Sequence, residues 1–90
     1  MESKTTKQFR ACLEALPRDI QERAAEAYQL FAKNPQHPSL RFKKIHNLLA
    51  VYSARVSLDY RAVGILKEDQ IVWFWIGTHS DYDKLLNNMK

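Results

Sequence analysis

The chain has 90 residues, 46% of them hydrophobic, and a net charge of +4. This length supports one hydrophobic core, so we expect a single domain over residues 1–90. The low glycine and proline content argues against disorder, and the single cysteine excludes an internal disulfide. No apolar run approaches the roughly 18 residues of a membrane span, and the polar start is unlike a secretory signal. We therefore expect a cytoplasmic protein that does not associate with membranes.

The positive charge is concentrated in the middle of the chain. Residues 35–66 carry five basic and one acidic side chain, whereas the segments before and after them are nearly balanced. A local surplus of this kind indicates a surface that faces an anionic partner, with nucleic acid the first candidate. The alternative is that a net charge of this size serves only solubility.

Two amphipathic helices are predicted first. Thr5-Thr6-Lys7-Gln8 resembles a capping box, and apolar residues at helical spacing follow it at Phe9, Cys12, Leu13 and Leu16. Pro17 ends this helix and suits the first turn of the next, whose apolar stripe is Ile20, Ala24, Ala27 and Phe31. Asn34-Pro35 ends the second helix, because a residue before proline is pushed out of the helical region. The two helices form an antiparallel hairpin.

Strands follow the hairpin. Residues 40–46 are interpreted as a basic strand, 47–50 as a loop, and 51–58 as an alternating strand with Arg55 on its polar, open face. Residues 60–66 and 70–76 give two more strands, the last of them central and covered on both faces. A short helix is predicted from Ser80, its capping residue, to about residue 89. The predicted fold is α+β: an N-terminal helical hairpin packed on a small antiparallel sheet of three to four strands, with a short C-terminal helix.

The end of the last strand is the best functional pointer. His79 lies where this strand gives way to a helix N-terminus, a place that favours anions, and histidine titrates near neutrality. Trp73 and Trp75 are two residues apart, so we expect them to share one face of the strand. They could stack RNA bases there, although burial in the core is the favoured interpretation.

No metal, P-loop or dinucleotide motif is present, and we expect no metal and no cofactor. Two glycines cannot build a phosphate loop and one cysteine cannot build a zinc cluster. What remains is a set of cationic and titratable side chains, namely Lys43, Lys44, His46, Arg55, Arg61, His79 and Tyr82. Such a set suits cleavage of RNA, which needs a base for the 2′-OH, an acid for the leaving oxygen and cations for the phosphate. The alternative is that each is an ordinary surface or structural residue.

A family resemblance rests on two motifs. They are Tyr52-x-x-Arg55-Val56-x-x-x-Tyr60-Arg61 and Ile76-Gly77-x-His79-x-x-Tyr82. Together with the order of elements, they resemble the RelE/ParE superfamily of type II toxin–antitoxin toxins, closest to the YafQ- and HigB-like branches. The resemblance implies the fold predicted above, with a further N-terminal strand that we expect to be missing or very short here.

For RelE-like members the resemblance implies ribosome-dependent, metal-independent cleavage of mRNA. It also implies inhibition of translation and neutralisation by a cognate antitoxin in a hetero-oligomer. The implied catalytic residues are Arg61 and Arg55 at the phosphate, His79 as acid or base, and Tyr82 near the C-terminal aromatic position. Lys43, Lys44, His46 and Arg41 match a looser basic region that would bind RNA, while Ser53 stands where the RelE type has a catalytic lysine.

Two other functions fit the same superfamily. A ParE-type toxin poisons DNA gyrase by binding and has no nuclease site, and a catalytically inactive relative would serve only as a protein-binding module. Arg61 and His79 together favour the nuclease, because a gyrase binder does not need a titrating group beside a phosphate clamp.

Overall fold

In the computed structural model of the protein, residues 1–89 form five strands and three α-helices. The elements are β1 (Glu2–Thr5), α1 (Lys7–Glu14), α2 (Arg18–Lys33), a 3₁₀ turn (Pro38–Leu40), β2 (Lys43–Lys44), β3 (Val51–Ser57), β4 (Tyr60–Lys67), β5 (Gln70–Thr78) and α3 (His79–Asn88). The strands make one sheet in the order β1-β5-β4-β3-β2. This arrangement confirms the predicted α+β fold. Among these helices, none has the length and apolar character required to cross a membrane.

The sheet has one more strand than predicted, because the N-terminal strand is present. β1 pairs in parallel with the first half of β5, from Glu2 opposite Gln70 to Thr5 opposite Trp73. It lacks apolar alternation because an edge strand is held through its backbone, and the Tyr28 hydroxyl also donates to the Ser3 carbonyl at 3.0 Å. β5 therefore lies second from the edge, and β4 occupies the centre.

The helical hairpin covers one face of the sheet. Its core consists of buried apolar side chains from both layers, namely Phe9, Ala24, Phe31, Leu40, Ala54, Ala62, Ile71, Trp73 and Ile76. Phe31 lies at the centre, with its ring 5.3 Å from that of Trp73 in an edge-on arrangement. Burying a side chain of this size stabilises the fold by about 2–3 kcal/mol.

A β-bulge on β5 overturns the expectation that Trp73 and Trp75 share a face. Val63 lies opposite Trp75 and the adjacent Gly64 lies opposite Trp73, so Phe74 is an extra residue on β5. The bulge places the two indoles on opposite faces. Trp73 is buried under the helical hairpin, whereas Trp75 packs on the α3 side. The two tryptophans thus do not form a common stacking surface.

The strand predicted over residues 40–46 is much shorter in the structure. Leu40 ends the 3₁₀ turn, and Arg41 adopts a left-handed backbone with a φ of 45°, which interrupts any extended segment. Only Lys43 and Lys44 pair with β3, opposite Ser53 and Tyr52. The alternation that suggested a longer strand arises because Phe42 turns inward to stack on Tyr52 at 4.9 Å.

The C-terminal helix covers part of the opposite face of the sheet. It begins at His79, one residue earlier than predicted, because Thr78 and not Ser80 caps it: Thr78 Oγ1 accepts the Asp81 N–H at 3.1 Å. Tyr82 packs with Val51 and Val63 in a second, smaller core. α3 therefore runs along the sheet from the β3–β4 turn towards the start of β3.

Candidate active site

Two arginines stand side by side where β3 and β4 meet. Arg55 lies directly opposite Arg61 across the antiparallel ladder, so both side chains leave the sheet on the α3 face. Arg61 Nη1 donates to the carbonyls of Ser57 at 2.8 Å, Tyr60 at 3.0 Å and Leu58 at 3.3 Å. These bonds hold one edge of the guanidinium against the turn, so the cation has a fixed position before any ligand arrives.

The electrostatics around Arg61 favour an anion. The pKa of Arg61 is lowered first by burial and then by the positive charge of Arg55, with a further lowering by Arg41. Tyr82 and Asp59 act in the opposite sense and raise it. A guanidinium that is partly desolvated and repelled by two others gains most when a phosphate neutralises the group.

His79 is bonded to the β3–β4 turn through its backbone and to Asp83 through its ring. Its N–H donates to the Asp59 carbonyl at 2.6 Å, which joins the start of α3 to the β3–β4 turn. Its Nδ1 lies 3.4 Å from Asp83 Oδ2, one helical turn away, and about half of the side chain is exposed. Within residues 1–89 the ring has no second polar contact, so Nε2 is the nitrogen that can exchange a proton with a ligand.

Tyr82 lies beneath His79. The two rings meet edge-on with their centroids 5.7 Å apart, and the Tyr82 hydroxyl donates to Ser53 Oγ at 3.2 Å in a buried bond. Tyr82 thus supports the imidazole from below and connects it to β3. Ser53 is therefore the acceptor for this tyrosine.

The structure does not bring His46 to this cluster. Its Nδ1 accepts the N–H groups of Leu48 at 3.1 Å and Leu49 at 3.0 Å, and its Nε2 meets the Met89 carbonyl at 3.0 Å. Both ring nitrogens are therefore engaged by the backbone. Because Met89 follows the last residue of α3 and His79 is the first, the two histidines are separated by about 15 Å along the helix.

The remaining basic residues are divided between the faces. Lys43 lies opposite Ser53 and shares the face of Arg55, whereas Lys44 lies opposite Tyr52 and belongs to the other face. Arg41 is exposed, and its charge acts on Arg61. Arg41 and Lys43 are therefore placed to extend the positive field of the cluster, and Lys44 is not.

Sequence reasoning missed the two acidic residues that position His79. Asp83 is four residues beyond His79 on the same helix, so the spacing itself was available as a signal once the helix start was known. Asp59 acts through its carbonyl, for which a sequence carries no signal. Among residues 1–89, no three His, Cys, Asp or Glu side chains cluster as a metal site requires.

The family model for a ParE-like toxin domain matches residues 18–84, from the start of α2 into α3. The chain belongs to the ParE-like toxin family. No protein of curated function matches this toxin at a significant level. The family confirms the resemblance to the RelE/ParE superfamily and makes the cluster at the β3–β4 turn part of a toxin domain.

Solved structures with the same fold extend over nearly the whole toxin. YafQ from Escherichia coli strain BL21(DE3) is similar with a TM-score of 0.72 and 13% identity, covering 90% of this chain and 96% of that one. A chain of the RelB–RelE antitoxin–toxin complex from Methanococcus jannaschii gives 0.72 and 22%, with coverage of 89% and 95%. The YoeB/ParE toxin from Agrobacterium tumefaciens gives 0.68 and 11%, with coverage of 88% and 99%. At these identities the likeness establishes the fold.

Proposed function

We propose that this toxin is a ribosome-dependent endoribonuclease that cleaves mRNA in the cytoplasm and thereby inhibits translation. The observation that carries the proposal is the convergence of Arg55, Arg61 and His79 at one end of the sheet. Two cations on neighbouring strands fit the oxygens of one phosphate, and the backbone of His79 is bonded to the β3–β4 turn that follows Arg55, with a ring nitrogen available. A protein that only binds a partner does not need this combination.

In the proposed reaction the 2′-oxygen attacks the phosphorus and the 5′-oxygen leaves. The 2′-OH loses a proton, the 5′-oxygen gains one, and negative charge grows on the phosphate oxygens in between. Arg61 and Arg55 stabilise that charge, and His79 Nε2 performs one of the two proton transfers while Asp83 orients its ring. Tyr82 is the candidate for the other, provided that RNA binding draws its hydroxyl away from Ser53.

The other basic residues have secondary roles in this proposal. Arg41 and Lys43 extend the positive field that binds RNA. Lys44 lies on the other face and His46 is engaged by the backbone. We therefore propose no contact between either residue and the RNA near the bond that is cleaved. Because phosphate contacts release counterions, association with ribosomes should weaken steeply as salt is raised.

The proposed partners are a cognate antitoxin, the ribosome and its mRNA. Two complexes that share the fold support the first of these: the RelB–RelE antitoxin–toxin complex from Methanococcus jannaschii and the DinJ–YafQ toxin–antitoxin complex from Escherichia coli. We therefore propose that the toxin is stored as a hetero-oligomer with its antitoxin and acts after release.

Primer extension on an mRNA translated in a cell-free system tests the proposal. The wild-type toxin should produce cuts within codons that require ribosomes, and His79→Ala and Arg61→Ala should each abolish them. His37→Ala is the matched control, because that ring bonds only to Ser39 within its own turn among residues 1–89. Because the Arg61 guanidinium also holds the β3–β4 turn, circular dichroism must show that Arg61→Ala is still folded before its loss of cleavage is assigned to the phosphate contact.

A second function, inhibition of DNA gyrase by binding, is favoured by the ParE-like description of the matched family. If the wild-type toxin leaves mRNA intact while translation continues, the nuclease proposal is wrong. A supercoiling assay with gyrase then decides whether the toxin acts by binding, and in that case His79→Ala should inhibit as well as the wild type.

A further inference from the structure

The loop between β2 and β3 is closed by one imidazole. His46 Nδ1 accepts the N–H groups of Leu48 at 3.1 Å and Leu49 at 3.0 Å, and its Nε2 meets the Met89 carbonyl at 3.0 Å. A carbonyl can only accept, so Nε2 carries the ring proton and Nδ1 is the bare nitrogen that receives the two N–H groups. The bonds therefore select the neutral imidazole and one of its two tautomers.

Little else holds the tip of this loop. Leu48 is 89% exposed and Leu49 is 53% exposed, so their side chains contribute little packing. Within residues 1–89, the N–H groups of these two leucines have no acceptor other than His46 Nδ1. The two bonds to the imidazole are therefore what keeps the tip closed.

The opening that loss of these bonds permits is local. The Ile45 N–H donates to the Val51 carbonyl at 2.8 Å, which joins the two ends of the loop. The Leu66 N–H donates to the Ala50 carbonyl at 2.8 Å, which joins the end of the loop to β4. Residues 47–49 can thus move while the strands on either side stay paired.

A proton on Nδ1 is incompatible with the closed loop. The imidazolium ion donates from both ring nitrogens, so a protonated Nδ1 faces two N–H donors instead of accepting from them. The bond from Nε2 to the Met89 carbonyl survives, and the charge strengthens it. Protonation therefore leaves His46 attached to the end of α3 and releases Leu48 and Leu49.

The surroundings of the ring leave His46 as the group that titrates. The residues that line the space around it have no titratable side chain, namely Ile45, Asn47, Leu48, Leu86 and Met89. On the elements packed against it, Lys44 belongs to β2, Tyr52 to β3 and Lys84 to α3, and such groups do not titrate between about pH 5 and pH 7.5. Asp83 on α3 contacts His79 instead.

We propose that the β2–β3 loop is a pH-sensitive latch, in which protonation of His46 releases residues 47–49 and opens the apolar groove that they form with Leu86 and Met89. The toxin then presents a different surface at this end of α3 in an acidified cell than at neutral pH. The latch does not depend on the nuclease, because its bonds lie at the opposite end of α3 from His79.

Hydrogen exchange of the ¹⁵N-labelled toxin, measured by solvent-exchange NMR, tests the latch. The protection factors of the Leu48 and Leu49 amides correct for the intrinsic pH dependence of exchange. Between about pH 7.5 and pH 5 they should fall by up to about 30-fold, because a free imidazole titrates near pH 6.5 and the closed loop excludes the proton. The Leu66 amide, at the base of the loop, should keep its protection.

His46→Asn is the matched variant. Asparagine Oδ1 accepts N–H groups two and three residues ahead in the same way as Nδ1, but it does not titrate. The variant should protect Leu48 and Leu49 at pH 7.5 and retain that protection at pH 5. His79→Asn, at the other end of α3, should leave the pH dependence of the loop in place.

Three outcomes would overturn the inference. The first is equal protection of Leu48 and Leu49 at both pH values in the wild type, and the second is the same fall in His46→Asn. The third is that the Leu66 amide loses protection together with the loop, which would mean that the sheet unfolds and no latch exists. Because every readout is a backbone amide, the result is independent of whether the toxin cleaves RNA.

Discussion

The two ends of α3 use histidine in opposite ways. At its first residue, the His79 ring packs on Tyr82 and has Asp83 as its one polar contact among residues 1–89, and about half of the side chain is exposed. Beyond its last residue, His46 is held by three backbone groups that close the 47–50 loop onto the helix. Both residues are histidines at an end of α3, yet of the two only His79 has a nitrogen that a ligand can reach.

The difference shows that the hydrogen bonds of a histidine, more than its residue type, decide whether it can transfer a proton or only stabilises the structure. An imidazole with both nitrogens engaged cannot transfer a proton without first breaking the structure around it. An imidazole with one nitrogen engaged is held in position, and its other nitrogen can still exchange a proton. The comparison predicts that the two histidines respond differently to the same substitution.

The largest expected effect is on cleavage. His79→Ala should lower the rate of mRNA cleavage on ribosomes about 100-fold or more, because a positioned acid or base contributes at least that much. His46→Ala should change this cleavage rate less than about threefold. Single-turnover kinetics, measured well below the unfolding temperature of both variants, give the two rates. Equal losses in the two variants would show that the ends of α3 do not differ as the hydrogen bonds indicate.

The second effect is on stability and has the opposite order. His46→Ala should lower the free energy of unfolding by about 2 kcal/mol, because three backbone hydrogen bonds are lost and water replaces them only in part. His79→Ala should lower it by less than about 0.5 kcal/mol, since its contact with Asp83 is exposed. Urea denaturation of both variants gives the values. A larger loss for His79→Ala would contradict the assignment of His46 as the structural residue.

The third effect tests whether α3 begins at His79. Thr78→Ala should lower the free energy of unfolding by about 1 kcal/mol, because the Asp81 N–H loses its cap. Ser80→Ala, two residues away in the first turn, should stay within about 0.5 kcal/mol of the wild type. If Ser80→Ala is the more damaging change in thermal or urea unfolding, then the helix starts later and His79 is not its first residue.

Much of this fold could be predicted because its signals are local. The helical hairpin follows from apolar spacing and from two prolines, and β3 follows from alternation. The errors occurred where tertiary contacts override local pattern. β1 has no apolar periodicity since β5 and Tyr28 hold it through its backbone. The bulge at Phe74 is invisible in a run of apolar residues, so the faces of the two tryptophans were wrong.

The candidate site was predicted in its residue types but not in its assembly. Arg55 and Arg61 could be paired by register, because a tight turn between two strands places residues on either side of it opposite each other. No sequence pattern could distinguish the role of His46 from that of His79. The difference lies in the hydrogen bonds of His46 to the backbone of Leu48, Leu49 and the distant Met89. Residues that interact through the backbone leave little trace in a sequence.

The smallest expected effect concerns the repulsion between Arg55 and Arg61. Burial and Arg55 lower the pKa of Arg61, so the charged Arg61 destabilises the fold at every pH below that pKa, which includes the whole neutral range. Arg55→Gln should therefore raise the free energy of unfolding by about 0.5 kcal/mol at low salt, a value that allows for solvent screening of this half-buried pair. The gain should shrink as salt is added, because ions screen the same repulsion.

The control for this prediction is Lys4→Gln, which removes an exposed charge from the edge strand β1 and should show neither the gain nor its salt dependence. A loss of stability in Arg55→Gln would mean that the side chain packs more than it repels. If Arg55→Gln instead gains stability and loses cleavage, then the repulsion between Arg55 and Arg61 lowers stability but serves function. This is the behaviour of an anion-binding site, because a bound phosphate neutralises the two charges.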